Sequence, residues 1–376
     1  MYSLGFPRLY LQGYGIFDRI GEEVKRFGSR PLVVADAFVR SLLGERISAS
    51  FEKAGIPCEL LQFAGECSPG QIDLLTSRAK DFRSDVLVAV GGGKTLDVTK
   101  GIALNLGLPV VIAPTLASND APTSRVIVTY TDEGEWLGPR FLTLNPDCIF
   151  VDSQIISQAP ARFFASCIAD ALATYYEAQQ CLKKGADNFY NGKQTVTSQA
   201  IARICHETIW QYGKEAYDAV SRKECTESVE KVIEANILLS GVGFEGCGVA
   251  AAHGIGLSLS VLTPLYGDAK GLLHGEEVAL GILAQFVLEG RSAEEIEKLQ
   301  DFLLSLDLPI SFEQAGIADF TPEKVRLVAE ACSYHICHNH PMILNYYYNH
   351  YNIQLLFLNS RNLLHRRRIR RYRKTR

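Results

Sequence analysis

Along the first 150 residues, short runs of aliphatic and β-branched residues alternate with longer segments whose apolar positions recur every three or four residues. Residues 30–36 (RPLVVAD), 58–63 (CELLQF), 85–93 (DVLVAVGGG), 109–115 (PVVIAPT), 124–131 (SRVIVTYT) and 148–152 (CIFVD) predict strands. The segments RIGEEVKRFG, LLGERISASFEKAG, QIDLLTSRAKDF and LDVTKGIALNLG between them have helical spacing. Strands joined by such helices predict a parallel sheet covered on both faces. Residues 131–136 (TDEGEW) predict the turn of a local hairpin.

The texture changes after Pro160. ARFFASCIADALATYYEAQQ, TVTSQAIARICHETIWQYGKEAYDAV, ESVEKVIEANILLSGVGF and GEEVALGILAQFVLEG are long and keep an i, i+3/i+4 apolar recurrence. SAEEIEKLQDFLLSLD and TPEKVRLVAEACS add two more helices, the second with Thr321 and Glu323 placed to start it. The chain therefore divides into an α/β domain over 1–158, a helical domain over 159–342 and an atypical tail over 343–376.

A chain of 376 residues is long enough for two such domains, and 47% hydrophobic with 21% charged residues is ordinary for a globular protein. No apolar run reaches the length of a membrane helix, and the N-terminus has no signal or transit pattern. Ten dispersed cysteines without metal-type pairing read as reduced thiols of a cytoplasmic protein. The net charge of −4 is uneven: residues 361–376 carry nine Lys/Arg and no acid, leaving 29 basic against 42 acidic residues elsewhere. An acidic body argues against a dedicated nucleic-acid partner.

Candidate chemistry in the first domain clusters at strand ends. Gly91, Gly92, Gly93 and Lys94 stand between a strand and an amphipathic helix, where bare amides and the helix field bind phosphate. The pattern is neither GxGxxG nor a P-loop, and a tight turn without ligand fits it too. Asp36 ends a strand, where an acid accepts from an adenosine ribose and repels a 2′-phosphate; strand-end acids are also common without that role. The loop 112–124 (IAPTLASNDAPTS) offers Thr115, Ser118, Asn119, Asp120, Thr123 and Ser124 at another strand end. Asp120 suits a polyol hydroxyl, although a loop held by Asx turns explains the composition as well.

In the helical domain, Asp170 is flanked by Ile168, Ala169, Ala171 and Leu172, poor company for an unpaired carboxylate. His253 lies in VAAAHGIG among residues with almost no side chain, and His274 precedes a helical run opened by Gly275, Glu276 and Glu277. Asp, His and His suit zinc with an open coordination position, as a catalytic site requires. Their separations of 83 and 21 residues match no short zinc motif. On spacing alone the plainer roles are stronger: a core histidine, a helix salt bridge and a capping residue.

Taken in order, GGGKTLD, IAPTLASNDAP, YTDEGE, CIADALATYYEA, GVGFEGCGVAAAH and LLHGEEVALG resemble the glycerol dehydrogenase branch of the iron-containing alcohol dehydrogenase family over residues 7–342. The resemblance implies a dehydroquinate synthase-like architecture. A dinucleotide-binding α/β domain with a parallel sheet precedes an all-helical metal-binding domain, and the active site lies between them. It implies one zinc ion per chain on Asp170, His253 and His274. NAD would lie against Asp36, Gly91, Gly92, Gly93, Lys94, Thr115, Ser118, Ser124, Val126 and Tyr130. Asp120 and Phe244 fall on the substrate side, so that Asp120, Asp170, His253 and His274 form the catalytic set. In the iron-using members a fourth ligand histidine follows the Asp by four residues; Thr174 stands there, which favours zinc. The implied reaction oxidises a small polyol, glycerol to dihydroxyacetone, with zinc polarising the alcohol oxygen and hydride passing to NAD. A homo-oligomer, often an octamer, goes with the family.

Two stretches depart from the family pattern. Members read AAHAxHNG where this chain reads AAHGIGLS, so Gly256 and Leu257 replace a histidine and an asparagine beside the pocket. CHNHPMI (337–343) still resembles the family's IHNMP, but a basic stretch lacking any Asp or Glu follows in place of amphipathic helices. It reads as a basic arm for acidic lipid or nucleic acid, or, preferably, as a terminus altered by a shifted reading frame. A phosphate-bearing substrate needs converging Lys or Arg, and residues 115–124 and 249–258 hold neither. The rival readings are another small hydroxyketone, hydroxy acid or alcohol as substrate, and a catalytically impaired homologue.

Overall fold

The computed structural model describes residues 1–317 and 321–334. The basic tail and CHNHPMI lie outside the described residues. Among the described residues eight strands form: β1 (Leu9–Gly13), β2 (Pro31–Asp36), β3 (Glu59–Phe63), β4 (Val86–Gly91), β5 (Val110–Pro114), β6 (Val126–Tyr130), β7 (Trp136–Phe141) and β8 (Cys148–Asp152). Six of them make one parallel sheet in the order β1-β8-β5-β4-β2-β3. Helices α1 (Ile20–Val24), α2 (Ala37–Ala54), α3 (Pro69–Phe82), α4 (Gly93–Leu106) and α5 (Ser153–Gln158) accompany the sheet.

β2, β4, β5 and β8 are buried at nearly every position, which is why they read as unbroken apolar runs rather than alternating ones. Successive side chains still point to opposite faces. Val33 and Ala35 of β2 join Val39, Leu43 and Ile47 of α2 in one core. Leu32 and Val34 join Ile72 of α3 and Ile102 of α4 in the other, which continues into the helical half through Phe164, Ile168 and Leu172.

The expected hairpin is present, and it takes one predicted strand out of the parallel sheet: β6 pairs antiparallel with β7, apart from the other six. β1, not anticipated, pairs with β8 from Leu9↔Cys148 to Gly13↔Asp152. Gln12 on β1 donates to the Glu230 carbonyl (2.9 Å) and carboxylate (2.6 Å) in the helical half, and Ser3 Oγ donates to Asn188 Oδ1 (3.0 Å).

The second half holds α6 (Ala161–Lys184), α7 (Val196–Ser221), α8 (Glu227–Glu234), α9 (Ser240–Cys247), α10 (Ala251–Ser258), α11 (Leu262–Tyr266), α12 (His274–Leu288), α13 (Ala293–Ser305) and α14 (Pro322–Tyr334). Thr321 caps α14 as expected, accepting from Lys324 N–H. The segment predicted as one helix over ESVEKVIEANILLSGVGF is interrupted by a π-helical turn at Ala235–Leu239. Side chains take up the carbonyls of that turn: Cys205 bonds Ala235 O (3.5 Å), Cys167 bonds Asn236 O (3.5 Å) and Thr123 bonds Ile237 O (2.6 Å).

Among the described residues eight cysteines are free thiols, six of them buried, whereas Cys332 is disulfide-bonded, against the expectation of reduced cysteines. Among the described residues no single helix is long and apolar enough to cross a membrane.

Candidate active site

α6 carries the first candidate ligand. Every residue from Phe164 to Thr174 is buried, so this helix runs through the core rather than over it. Asp170 has no exposed side-chain surface, and a carboxylate so placed requires partners. Thr174 and Glu177 follow at i+4 and i+7, on the same stripe of the helix.

α10 and α12 deliver the partners because glycine lets the backbones touch. A Cβ on Gly275 would lie 1.7 Å from the Ser166 carbonyl oxygen of α6, and one on Gly281 would lie 2.0 Å from the Ala252 carbonyl oxygen of α10. The Gly275 N–H also donates to Ser166 Oγ at 3.0 Å. Held in this way, His253 Nε2 lies 3.0 Å and His274 Nε2 3.5 Å from Asp170 Oδ1. The ligand atoms of the three residues fall within 4.8 Å of one another. His274 keeps 28% of its side chain exposed, so the cluster is open on that side.

Burial alone would raise the Asp170 carboxyl, but His274 and His253 outweigh it and hold it well below the usual carboxylate range. Burial disfavours a charged His253, yet Glu177 and Asp170 prevail and raise its pKa. His274 rises against burial through Asp170. The pocket thus draws positive charge. Two imidazole nitrogens and one carboxylate oxygen, this close together and this buried, fit a divalent ion such as zinc in donor type and number. Thr174 adds no ligand, since its hydroxyl is paired with Ser240 Oγ at 3.1 Å.

Asp120 reaches the same place from the loop after β5. Its N–H donates to Asp170 Oδ2 (3.2 Å), and Ser240 Oγ donates to its own Oδ2 (3.5 Å). Burial, then the charge of Asp170, pushes the Asp120 carboxyl up to about 8. Lys100 of α4, fully buried, braces this loop: its ammonium donates to Ala121 O (2.6 Å), Val126 O (3.0 Å) and Asp97 Oδ1 (3.1 Å).

The remaining expected residues line neighbouring strand ends. Asp36, Gly91 and Thr115 close or follow β2, β4 and β5, three adjacent strands, at the carboxyl edge where open α/β sheets hold ligands. Gly92 caps α4 with no side chain in the way, and a Cβ on Gly93 would lie 3.2 Å from Asn119 Nδ2. Ser118 accepts through its carbonyl from Ser166 Oγ (3.2 Å), and Ser124 Oγ donates to Ala121 O (3.4 Å). Val126 and Tyr130 bound β6, and burial pushes the Tyr130 phenol up to about 12. Three expected contacts are committed elsewhere in part. Asp36 Oδ1 caps α2 by accepting from Val39 N–H (2.8 Å), Lys94 pairs with Glu66 (2.5 Å), and the Phe244 ring stands edge-on to Phe189 (5.3 Å).

The profile of the iron-containing alcohol dehydrogenase family matches residues 7–153. Glycerol dehydrogenase of Escherichia coli O6:H1 is 43% identical over 325 residues, spanning 86% of this chain and 88% of that one. This chain belongs to the iron-containing alcohol dehydrogenase family. Within the family it falls in the glycerol dehydrogenase branch: the Thermotoga maritima glycerol dehydrogenase is 42% identical over 89% of this chain and 91% of its own. The crystal structure of glycerol dehydrogenase from Schizosaccharomyces pombe superposes with a TM-score of 0.91 at 35% identity, covering 96% of this chain and 92% of that one. A glycolaldehyde reductase of Halobacterium salinarum is 40% identical over 86% of this chain and 88% of its own.

Against the family pattern, Gly256 is now explained sterically. A Cβ there would lie 2.9 Å from the Glu277 carbonyl oxygen, so α12 occupies the space a side chain would need. Sequence reasoning missed Glu177, Lys100, Asp97 and Ser240, and gave Glu277 no role beyond a first helical turn. Burial pushes the Glu277 carboxyl up to about 7. The signal for Glu177 was its i+7 spacing from Asp170 within one apolar run.

Proposed function

We propose that this chain is an NAD-dependent, zinc-containing dehydrogenase that oxidises glycerol and related vicinal diols to hydroxyketones. The observation that carries this reading is the convergence of Asp170, His253 and His274 with Asp120 beside them. When bound, the ion supplies Lewis-acid polarisation of an alcohol oxygen, and the dinucleotide supplies the hydride acceptor. Asp170, His253 and His274 hold the ion, one per chain. Asp120, tied to the site through its N–H to Asp170 Oδ2, hydrogen-bonds a neighbouring hydroxyl of the polyol and orients it. The bare amides of Gly92 and Gly93 at the start of α4 receive the pyrophosphate, and Asp36 favours the cofactor without a 2′-phosphate.

A small uncharged substrate fits because residues 115–124 and 249–258 contain no Lys or Arg, and the nearby Arg125 guanidinium donates to Leu142 O and Phe189 O instead. A second reading, reduction of a short hydroxyaldehyde, is favoured by the likeness to the Halobacterium salinarum glycolaldehyde reductase.

NAD⁺ reduction over glycerol, diols, hydroxyketones and hydroxy acids, with metal content measured on the same preparation, tests the proposal. We expect one zinc per chain and glycerol among the best substrates, with Asp170→Ala and His253→Ala each losing the metal and the activity. Full metal content with no diol oxidation moves the assignment to the second reading. Unchanged metal content in both variants overturns the ligand set.

A further inference from the structure

α10 starts at Ala251 with Ala250 as its N-cap, a residue that has no side-chain acceptor to offer. The first amides of any helix lack intrahelical partners and need an acceptor from outside. Glu177, two turns beyond Asp170 on α6, supplies it across the helix interface. Its Oε1 accepts from the Ala250 N–H (2.8 Å) and the His253 N–H (2.9 Å), while Oε2 meets His253 Nδ1 at 2.5 Å. The carboxylate has no exposed surface. Oε2 takes the Nδ1 side of the ring and Nε2 faces Asp170, so a metal ion in place of the Nε2 proton would leave the ring proton on Nδ1, donated to Glu177.

We propose that Glu177 is the positioning residue of the metal centre: it fixes His253 in the Nδ1–H tautomer and so makes Nε2 the ligating atom. This rests on the reading of Asp170, His253 and His274 as the metal site. Glu177 also anchors the start of α10, so one side chain sets both the ring's protonation pattern and the height of the ring above α6. Glutamine in its place cannot reproduce this. An amide has one acceptor oxygen: turned toward Ala250 and His253 amides, it aims its NH2 at Nδ1 and favours the wrong tautomer. Turned the other way, it sets donors against donors.

Zinc affinity by chelator competition, measured on full-length wild type and Glu177→Gln, tests the role. Losing an outer partner of a ligating histidine typically weakens metal binding by about 10–100-fold, and we expect that loss with an unchanged circular dichroism spectrum. Equal zinc affinity of Glu177→Gln and wild type overturns the proposal. Ring-¹⁵N NMR of zinc-loaded wild type gives the tautomer without any variant: Nδ1–H is expected, and a protonated Nε2 or a metal-bound Nδ1 overturns it. Failure of wild type to take up zinc defeats the underlying triad instead, so the two failures are distinct.

Discussion

Gly275→Ala isolates the steric basis of the candidate metal centre. By intrinsic preference the change favours helix α12 by about 0.8–1.0 kcal/mol, since alanine is the best helix former and glycine a poor one. The structure opposes it. The added methyl would lie 1.7 Å from the Ser166 carbonyl oxygen, 2.4 Å from its carbon and 2.8 Å from its Oγ. Unstrained non-bonded contact needs roughly 3.5 Å, so the start of α12 must retreat from α6 by more than about 1 Å. Overpacking of this kind costs about 1–3 kcal/mol. The retreat also breaks the 3.0 Å bond from Gly275 N–H to Ser166 Oγ, about 0.5–1.5 kcal/mol more. The sum is a net loss of about 0.5–3.7 kcal/mol in stability. The functional loss is larger in kind. His274 is the adjacent residue, and a metal site tolerates errors of only about 0.2 Å in ligand distance. Zinc affinity should fall about tenfold or more, read by chelator competition beside thermal unfolding. Gly44→Ala is the control: it sits within α2 with its nearest neighbours 3.6 Å from the new methyl, so it should stabilise and leave zinc untouched. Wild-type zinc affinity and melting temperature in Gly275→Ala would refute the packing argument.

Two further outcomes are expected. Lys100→Met keeps the volume but leaves the buried Asp97 carboxylate with no cation, only the Val128 N–H, and takes the donor from Ala121 O and Val126 O; it should destabilise by about 3–5 kcal/mol in denaturant unfolding, and a cost below about 1 kcal/mol would remove Lys100 as the brace. His206, packed between Tyr176 and Trp210, has its pKa lowered by burial from 6.5 to about 4. The unfolded chain therefore takes up the proton first, and this contribution to stability, complete above pH 6.5, is lost as pH falls toward 4. His206→Gln should flatten that part of the melting-temperature profile; an unchanged slope would assign the acid sensitivity to other groups.

The parallel sheet was legible because central parallel strands are buried on both faces, and β2, β4, β5 and β8 show it as continuous apolar runs. β1 was not, because Leu-Tyr-Leu-Gln-Gly is short, half-buried and paired with a strand far along the chain. The three candidate ligands were visible as oddities, a carboxylate and two histidines among small residues. Their meeting was not visible, since it depends on Gly275 and Gly281 letting α12 touch two other helices, a fact about backbone distance. Lys100 illustrates the remaining blind spot. In sequence it is one more lysine on an amphipathic helix, and only the fold places a loop's carbonyls around it.

β1 is made long before the strand it joins. Cys148, the first partner of Leu9, is synthesised on the order of ten seconds later at about 5–20 residues per second. Glu230, which receives Gln12, and Asn188, which receives Ser3, come later still. Until then the flank of β8 cannot be closed, and the N-terminal segment waits unpaired beside the nascent chain. The order of assembly at this edge is therefore the reverse of the order of synthesis. A bulky tag or a truncation at the N-terminus would act on a seam that closes only once Glu230 has been made, delaying the join between the sheet and the helices.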